Sequence, residues 1–224
     1  MQIQRLATLT EIPAAEWNAL VSEQNPFLSH EFLAALERHQ CVGERTGWLP
    51  WHLICRDEAG RLLGAALLYL KFNSYGEFVF DWTWAEAHRQ QHLPYYPKLV
   101  GAIPYTPATS QRLLLAPDQP QPAKTRRALI DFALAQAQRH QWSSAHWLFP
   151  ASEDLDSLLE QGLLHRVGCQ FHWENPGYRD FQDFLDTLTA KRRKNINRER
   201  RLVQQAGVEI QVLHGGEISE DQWR

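Results

Sequence analysis

The chain is poor in cysteine. Its 224 residues hold three, Cys41, Cys55 and Cys169, widely spaced and odd in number. No CxxC pair occurs, so no disulfide framework is implied, and a reducing, cytoplasmic compartment is the simplest setting. The opening residues, MQIQRLATLTEIP, lack the basic-then-apolar order of a secretory leader, and no apolar run approaches the length of a membrane span. There is no GxSxG elbow, and no cysteine has a base beside it in sequence. The chain also has little net charge. At a formal -3 it carries no whole-protein pull toward nucleic acid or membrane.

That average hides an asymmetry. Residues 191–201, KRRKNINRERR, hold seven of the 23 basic residues and one acid, a local charge of +6 that leaves the remainder at -9. The chain is 44% hydrophobic and carries nine tryptophans, enough for a substantial core and for broad flat surfaces that are buried or face a ligand.

One stretch organises the rest: YLKFNSYGEFVFDWTWA, residues 69–85. It places an aromatic at nearly every second or third position, with Lys71, Glu77 and Asp81 among the rings. Asn73-Ser74-Tyr75-Gly76 reads as a turn between two strand-like runs. A carboxylate flanked by large rings is either desolvated with a raised pKa or paired with a cation or donor. The plain alternative is that Glu77 and Asp81 end strands and face water.

Around that stretch the pattern predicts strands over residues 3–9, 51–56, 62–72, 77–82, 112–115, 145–149, 168–173 and 208–213. Helices are expected after Pro13, after Ser29 as N-cap, over 83–92, over 123–141, over 153–161, over 180–188 and through the basic run to Gly207. Gly47 and Pro50 bracket a loop. His88 and His92 are four apart and would share a helical face, but no third ligand stands near them, so no metal site is assigned. Residues 94–110 combine prolines, tyrosines and threonines and predict a fixed, hydroxyl-rich segment that lines a site or caps a sheet.

This order predicts a mixed α/β layer fold, with an antiparallel part in strands two to four and a parallel part made by the strand-helix-strand pass over 112–149. It resembles the GNAT acyltransferase fold, a splayed β-sheet flanked by helices. One departure is visible. Where such enzymes carry a glycine-rich, pyrophosphate-holding loop before the long helix, this chain has APDQPQPAKTRR, and proline offers no backbone donor. Lys124, Arg126 and Arg127 would have to hold a polyanion by side chains, or else form a solvated helix end.

Seven motifs sharpen the resemblance: PFLSHEFLAALE (26–37), GWLPWHL (47–53), the 69–85 stretch, YYPKL (95–99), IPYTPATSQRLL (103–114), QFHWEN (170–175) and KRRKNINRERR. Together they resemble the FemAB-like family of predicted N-acyltransferases, related to the bacterial peptidoglycan-bridge peptidyltransferases. The resemblance implies a GNAT-like N-terminal domain over 1–180, a helical linker with the basic helix over 181–207, and over 208–224 the start of a truncated second GNAT-like half. It implies acyl or aminoacyl transfer to an amine, with no permanently bound cofactor. The co-substrate would be an activated donor: acyl-CoA, acyl carrier protein or aminoacyl-tRNA.

For direct transfer, Glu77 or Asp81 is the expected proton acceptor, with Tyr105 and Thr106 as hydroxyl donors near the reacting carbonyl. Lys71, Trp82, Lys98, Thr109 and Arg112 are the expected substrate-binding groups. Arg192, Arg193, Asn195 and Arg198 on the basic helix are expected to meet a phosphate-bearing substrate or a tRNA. A linker helix with solvated charges is the plain counterpart. Two rivals stay open: a non-catalytic GNAT-fold module that binds a peptide or glycan, and an RNA-binding adaptor acting through the basic helix.

Overall fold

The computed structural model describes residues 1–21 and 25–223. It divides into two compact units, Met1–Gly168 and Cys169–Arg224.

The first unit is mixed α/β, built on two four-stranded sheets. One sheet orders β1 (Gln2–Leu6), β3 (His52–Arg56), β4 (Leu62–Ala66) and β7 (Leu113–Leu115), all antiparallel. The other orders β2 (Trp48–Pro50), β5 (Leu68–Lys71), β6 (Lys98–Gly101) and β8 (Ala145–Trp147). One long hairpin serves both sheets. Its first arm passes from β2 to β3 at Trp51, and its second passes from β4 to β5 at Leu67. The Trp51 N–H donates to the Leu68 carbonyl at 2.9 Å, which stitches the arms together where the sheets part. This is the expected splay. The expected loop at 47–50 therefore contains strand β2, and the expected strand 62–72 is split in two.

Successive residues of the central strands serve different cores. Ile54, Ala65, Tyr69 and Val100 pack with Leu6, Trp17, Leu33 and Trp48. Leu53, Ala66, Leu68 and Leu99 pack with Leu129, Ile130, Ala133 and Leu158. Both faces are buried, so these strands read as near-continuous apolar runs. Two helices belong to the first core: α1 (Ala14–Asn18), which starts after Pro13, and α2 (His30–Arg38), capped by Ser29. The other core holds α4 (Pro122–Arg139) and α5 (Ser152–Glu160).

The parallel pairing differs from expectation. β7 and β8 lie in different sheets, and the parallel partner of β8 is β6. The chain finishes one sheet with β7, crosses along α4, and returns into the other. Only an isolated bridge, Ser110 with Pro150, links the two runs in parallel.

Residues 77–82 are not a strand. Phe78 and Phe80 adopt left-handed backbone, φ 60 and 50, and α3 (Trp82–Gln90) begins at once. An extended run would hold the Cα atoms of residues 77 and 81 about 13 Å apart. Left-handed turns at Phe78 and Phe80 bring both carboxylates to one ammonium while pointing their own rings outward.

The second unit holds α6 (Phe181–Asp186, capped by Asp180), α7 (Ala190–Gln205) and α8 (Glu220–Trp223). Gly207, at φ 70, follows α7 as expected. The expected strands at 168–173 and 208–213 are absent. Phe171, Ile210 and Val212 are 97%, 79% and 86% exposed. Their alternating apolar pattern suits a strand, but no ladder partner stands beside them among the described residues.

Candidate active site

The register of β5 and β6 sets Lys71 opposite Lys98, so the two ammonium stems rise from one face of the sheet. Both side chains are fully buried. The loop that follows β5 then folds over them. Asn73 shapes its first turn: its Oδ1 accepts from the Tyr75 N–H at 3.0 Å, and its Nδ2 donates to the Thr46 carbonyl at 3.1 Å. Gly76, at φ +79, lies flat against Tyr105, where an added Cβ would stand 2.5 Å from the ring.

Lys98 is the hub. Its Nζ donates to Glu77 Oε2 at 2.8 Å, to Asp81 Oδ2 at 2.5 Å and to Ser74 Oγ at 3.2 Å. The Tyr95 hydroxyl donates to the same Asp81 oxygen at 2.6 Å. Ser74 Oγ and Tyr96 OH share a hydrogen bond of 2.7 Å. Lys71 has a different environment. Its Nζ sits 3.8 Å from the centre of the Trp48 ring and donates to the Tyr75 carbonyl at 3.1 Å. Glu77 and Asp81 are each 2% exposed, and Glu77 Oε1 and Asp81 Oδ1 have no hydrogen-bond partner among the described residues.

The two carboxylates are pushed apart in acidity. Burial raises both, but for Asp81 the donors Lys98, Ser74 and Tyr95 outweigh it and hold the group at about 2. For Glu77 burial wins over the pull of Lys98, and the pKa is raised. Burial brings Lys71 down to about 7, with help from the neighbouring Lys98 charge. His146, opposite Val100 on β8, is lowered to about 4 by burial and by Lys98. Two like groups thus stand at different pKa values around one ammonium.

A sequence profile described as peptidoglycan biosynthesis/recognition matches residues 8–224, nearly the whole chain. The chain belongs to the FemAB-like family. No curated protein matches it. Three solved structures are similar in path. A ribosomal-protein-alanine N-acetyltransferase from Brucella melitensis biovar Abortus 2308 is 17% identical at TM-score 0.44, covering 78% of this chain and 100% of its own. A probable acetyltransferase is 15% identical at TM-score 0.44, covering 80% and 99%. The tetramutant of BH1408 from Bacillus halodurans is 12% identical at TM-score 0.44, covering 78% and 99%.

In this FemAB-like chain the expected site residues other than Arg112 fall into three groups. Lys71, Glu77, Asp81 and Lys98 come together in the buried cluster. Tyr105, Thr106, Thr109 and Trp82 lie outside its hydrogen bonds. The Tyr105 hydroxyl donates to the Cys41 carbonyl at 2.7 Å, and Thr106 Oγ1 donates to the Pro104 carbonyl at 3.1 Å. Thr109 is exposed, and Trp82 packs on Tyr75 with ring centres 5.2 Å apart. The third group, Arg192, Arg193, Asn195 and Arg198, lies on α7 in the second unit. The expected helical face shared by His88 and His92 does not form: His92 lies past α3 at φ 55, and His88 Nδ1 meets the Pro94 carbonyl.

Arg112 is a structural clamp. It is fully buried, and its guanidinium donates to the carbonyls of Leu148 and Ala108, both at 2.7 Å, and to Ser110 Oγ at 2.6 Å. Its backbone N–H donates to Asp154 Oδ2 at 2.6 Å. Its guanidinium bonds join the 108–112 turn to the Leu148 carbonyl. Arg112→Met is expected to lower stability by roughly 3 kcal/mol in urea denaturation, because each buried acceptor left unpaired costs about 1–3 kcal/mol. A loss below about 1 kcal/mol would contradict the clamp.

The segment before α4 does not fit a pyrophosphate cradle. Pro117, Pro120 and Pro122 carry no N–H. Gln119 spends its side chain inward, donating to the Leu63 carbonyl at 2.8 Å and accepting from Thr125 Oγ1 at 2.6 Å. Arg126 pairs with Glu153 and Asp154 at 2.7 and 3.2 Å, and Arg127 with Asp131 at 3.5 Å.

Sequence reasoning missed Ser74, Tyr95, Tyr96, Trp48 and His146 as members of the cluster. The Pro-Tyr-Tyr-Pro run pointed at two of them, since it carries phenols into a rigid approach to β6. Nothing in sequence pointed to His146, which arrives from a strand 48 residues beyond Lys98.

Proposed function

We propose that the chain is an N-acyltransferase or aminoacyltransferase that moves an activated acyl group directly onto an amine, with Glu77 as the proton acceptor. The observation that carries this reading is the buried cluster in which Glu77 and Asp81 share Lys98 while their pKa values diverge. Membership of the FemAB-like family supports it.

The amine nitrogen attacks the acyl carbonyl; the C–N bond forms and the bond to the leaving thiol or hydroxyl breaks. The proton lost by the amine must go to a base. Tyr96 is half-buried and starts a chain of hydrogen bonds through Ser74 and Lys98 to Glu77. Glu77 takes up the proton that the amine loses and returns it to the leaving thiolate or alkoxide. Asp81 stays ionised and keeps Lys98 in place. The donor is held by means other than a backbone cradle, for the reasons given at α4.

The burial of the whole cluster favours one rival, a binding module whose charges are purely structural. Incubating the chain with labelled acyl-CoA, acyl carrier protein or aminoacyl-tRNA and an amine panel separates the two. Mass-spectrometric detection of acylated amine from one donor class supports transfer. A folded protein that acylates nothing supports the binding module.

A further inference from the structure

The stretch that folds over Lys71 and Lys98 leaves its rings in water. Phe72, Tyr75, Phe78, Phe80, Trp82 and Trp84 are all exposed, Phe80 by 72%. Elsewhere the described residues of the first unit expose large rings only at Phe27 and Tyr105. Tyr105 borders the same patch, since its ring lies against Gly76. Tyr75 and Trp82 touch within it, ring centres 5.2 Å apart. Single apolar side chains at a surface need no explanation, but a contiguous patch marks a protein or membrane contact.

The backbone is bent to make this surface. Phe78 and Phe80 stand at φ 60 and 50, a region that disfavours bulky side chains. The turns carry Glu77 and Asp81 inward to Lys98 and send both phenyl rings out. Glycine or asparagine would make the same turns without the exposed apolar area. Strain held at two neighbouring positions, each presenting a ring to solvent, points to a use for the rings.

The acids of the patch are all engaged. Glu77 and Asp81 are buried on Lys98, and Glu86 of α3 pairs with Arg89 at 2.6 Å. The border is cationic and aliphatic. The Arg166 guanidinium lies 5.4 Å from the centre of the Trp84 ring. On either side of Arg166, Leu164 and Val167 are 96% and 79% exposed.

We infer that this face, the rings of residues 72–84 with Leu164, Arg166 and Val167, is a peripheral docking surface for a phospholipid bilayer. The phenyl and aliphatic side chains enter the acyl boundary. Tyr75, Trp82 and Trp84 lie at headgroup level, where one end of the ring is apolar and the other wet, and Arg166 meets lipid phosphate. Charge complementarity selects the bilayer. The border charge is cationic, and no described carboxylate of residues 72–86 is left unpaired to be carried against acyl chains. A chain of net charge -3 reaches a membrane here through its rings, so neutral lipid suffices. The inference holds whether or not the chain transfers acyl groups.

The test is flotation of the full chain with large vesicles of phosphatidylcholine, read together with the wavelength of tryptophan emission. Neutral vesicles remove any pull from the basic helix α7. Flotation with a shift of emission to shorter wavelength is expected. Phe80→Asn removes the ring yet suits left-handed backbone, and it is expected to weaken partitioning roughly 10-fold or more, the worth of one buried ring. Trp84→Gln is a second variant with the same expectation, and Phe80→Trp, which keeps a ring, should retain binding. Adding phosphatidylglycerol should tighten the wild type more than Arg166→Gln. Circular dichroism and urea denaturation check that each variant is folded. No flotation with phosphatidylcholine, or flotation unchanged in both Phe80→Asn and Trp84→Gln, overturns the inference. So does a wild-type dimer in sedimentation equilibrium that these variants split while vesicles bind none of them, because the patch then belongs to a second copy of the chain.

Discussion

Lys98→Ala is expected to cost about 3–5 kcal/mol of stability at pH 7, or to prevent folding. Removing one partner of a buried ion pair leaves an uncompensated charge, and here it leaves two. Glu77 and Asp81 both lose their shared donor, and each already has one oxygen without a partner among the described residues. Lys71 does not substitute, because its ammonium is turned to the Trp48 ring and the Tyr75 carbonyl. The triple variant Lys98→Met, Glu77→Gln, Asp81→Asn removes every charge of the triad at similar volume. It should recover most of the loss, since a buried ion pair replaced by neutral groups of similar shape is often near neutral in stability. Urea denaturation of the wild type, the single and the triple variant measures this. A single variant within about 1 kcal/mol of wild type would show that Lys98 does not hold the cluster together.

The pH dependence of stability carries the same signature with a definite sign. The folded pKa of Asp81 lies at about 2, below the ordinary value of 3.8. Its contribution is therefore present above the unfolded value and disappears as pH falls through the folded one. The interval corresponds to about 2 kcal/mol, on the order of 1.4 kcal/mol per pKa unit. Glu77 acts in the opposite direction. Its folded pKa is raised, so its ionisation costs stability as pH rises through that value. In Lys98→Ala both carboxylates lose the cation that favours ionisation. The deficit of the variant should accordingly be largest at neutral pH and shrink toward pH 4, as the two groups take up protons.

What was legible in the sequence was mostly local chemistry. Ser29 as a cap and Gly207 after the basic helix each state their role in a few residues, and each appears in the structure. Lys71, Glu77 and Asp81 stood out because charge among rings is expensive unless paired. The common partner of Glu77 and Asp81 was harder to see. Lys98 reaches them only through the β5–β6 pairing, a relation between strands that no single stretch encodes. One partner of Arg112 was hidden for the same reason: the Leu148 carbonyl comes from 36 residues on. The expected strands 168–173 and 208–213 fail differently. Alternating apolar residues specify a face, but a strand also needs a neighbour for its backbone groups.

Glu77→Gln is expected to lower turnover by about 10²- to 10⁴-fold, the usual range for a general base, with little change in donor affinity. The substitution keeps the side-chain volume and a carbonyl oxygen for Lys98 to meet, so the fold is retained while the proton acceptor is lost. Asp81→Asn should behave otherwise. Asp81 holds Lys98 and receives the Tyr95 hydroxyl, so its loss should appear mainly in stability. The pH profile separates proton transfer from packing. In the wild type, kcat/KM should rise with pH along a limb set by the ionisation of Glu77, above the ordinary glutamate value because burial raises it. Lys71, at about 7, titrates nearby and adds a limb of its own. Glu77→Gln removes the first limb and leaves the second; Lys71→Met removes the second and leaves the first. A Glu77→Gln enzyme within threefold of wild type, with both limbs intact, would move the proton acceptor elsewhere and leave the cluster with a purely structural role.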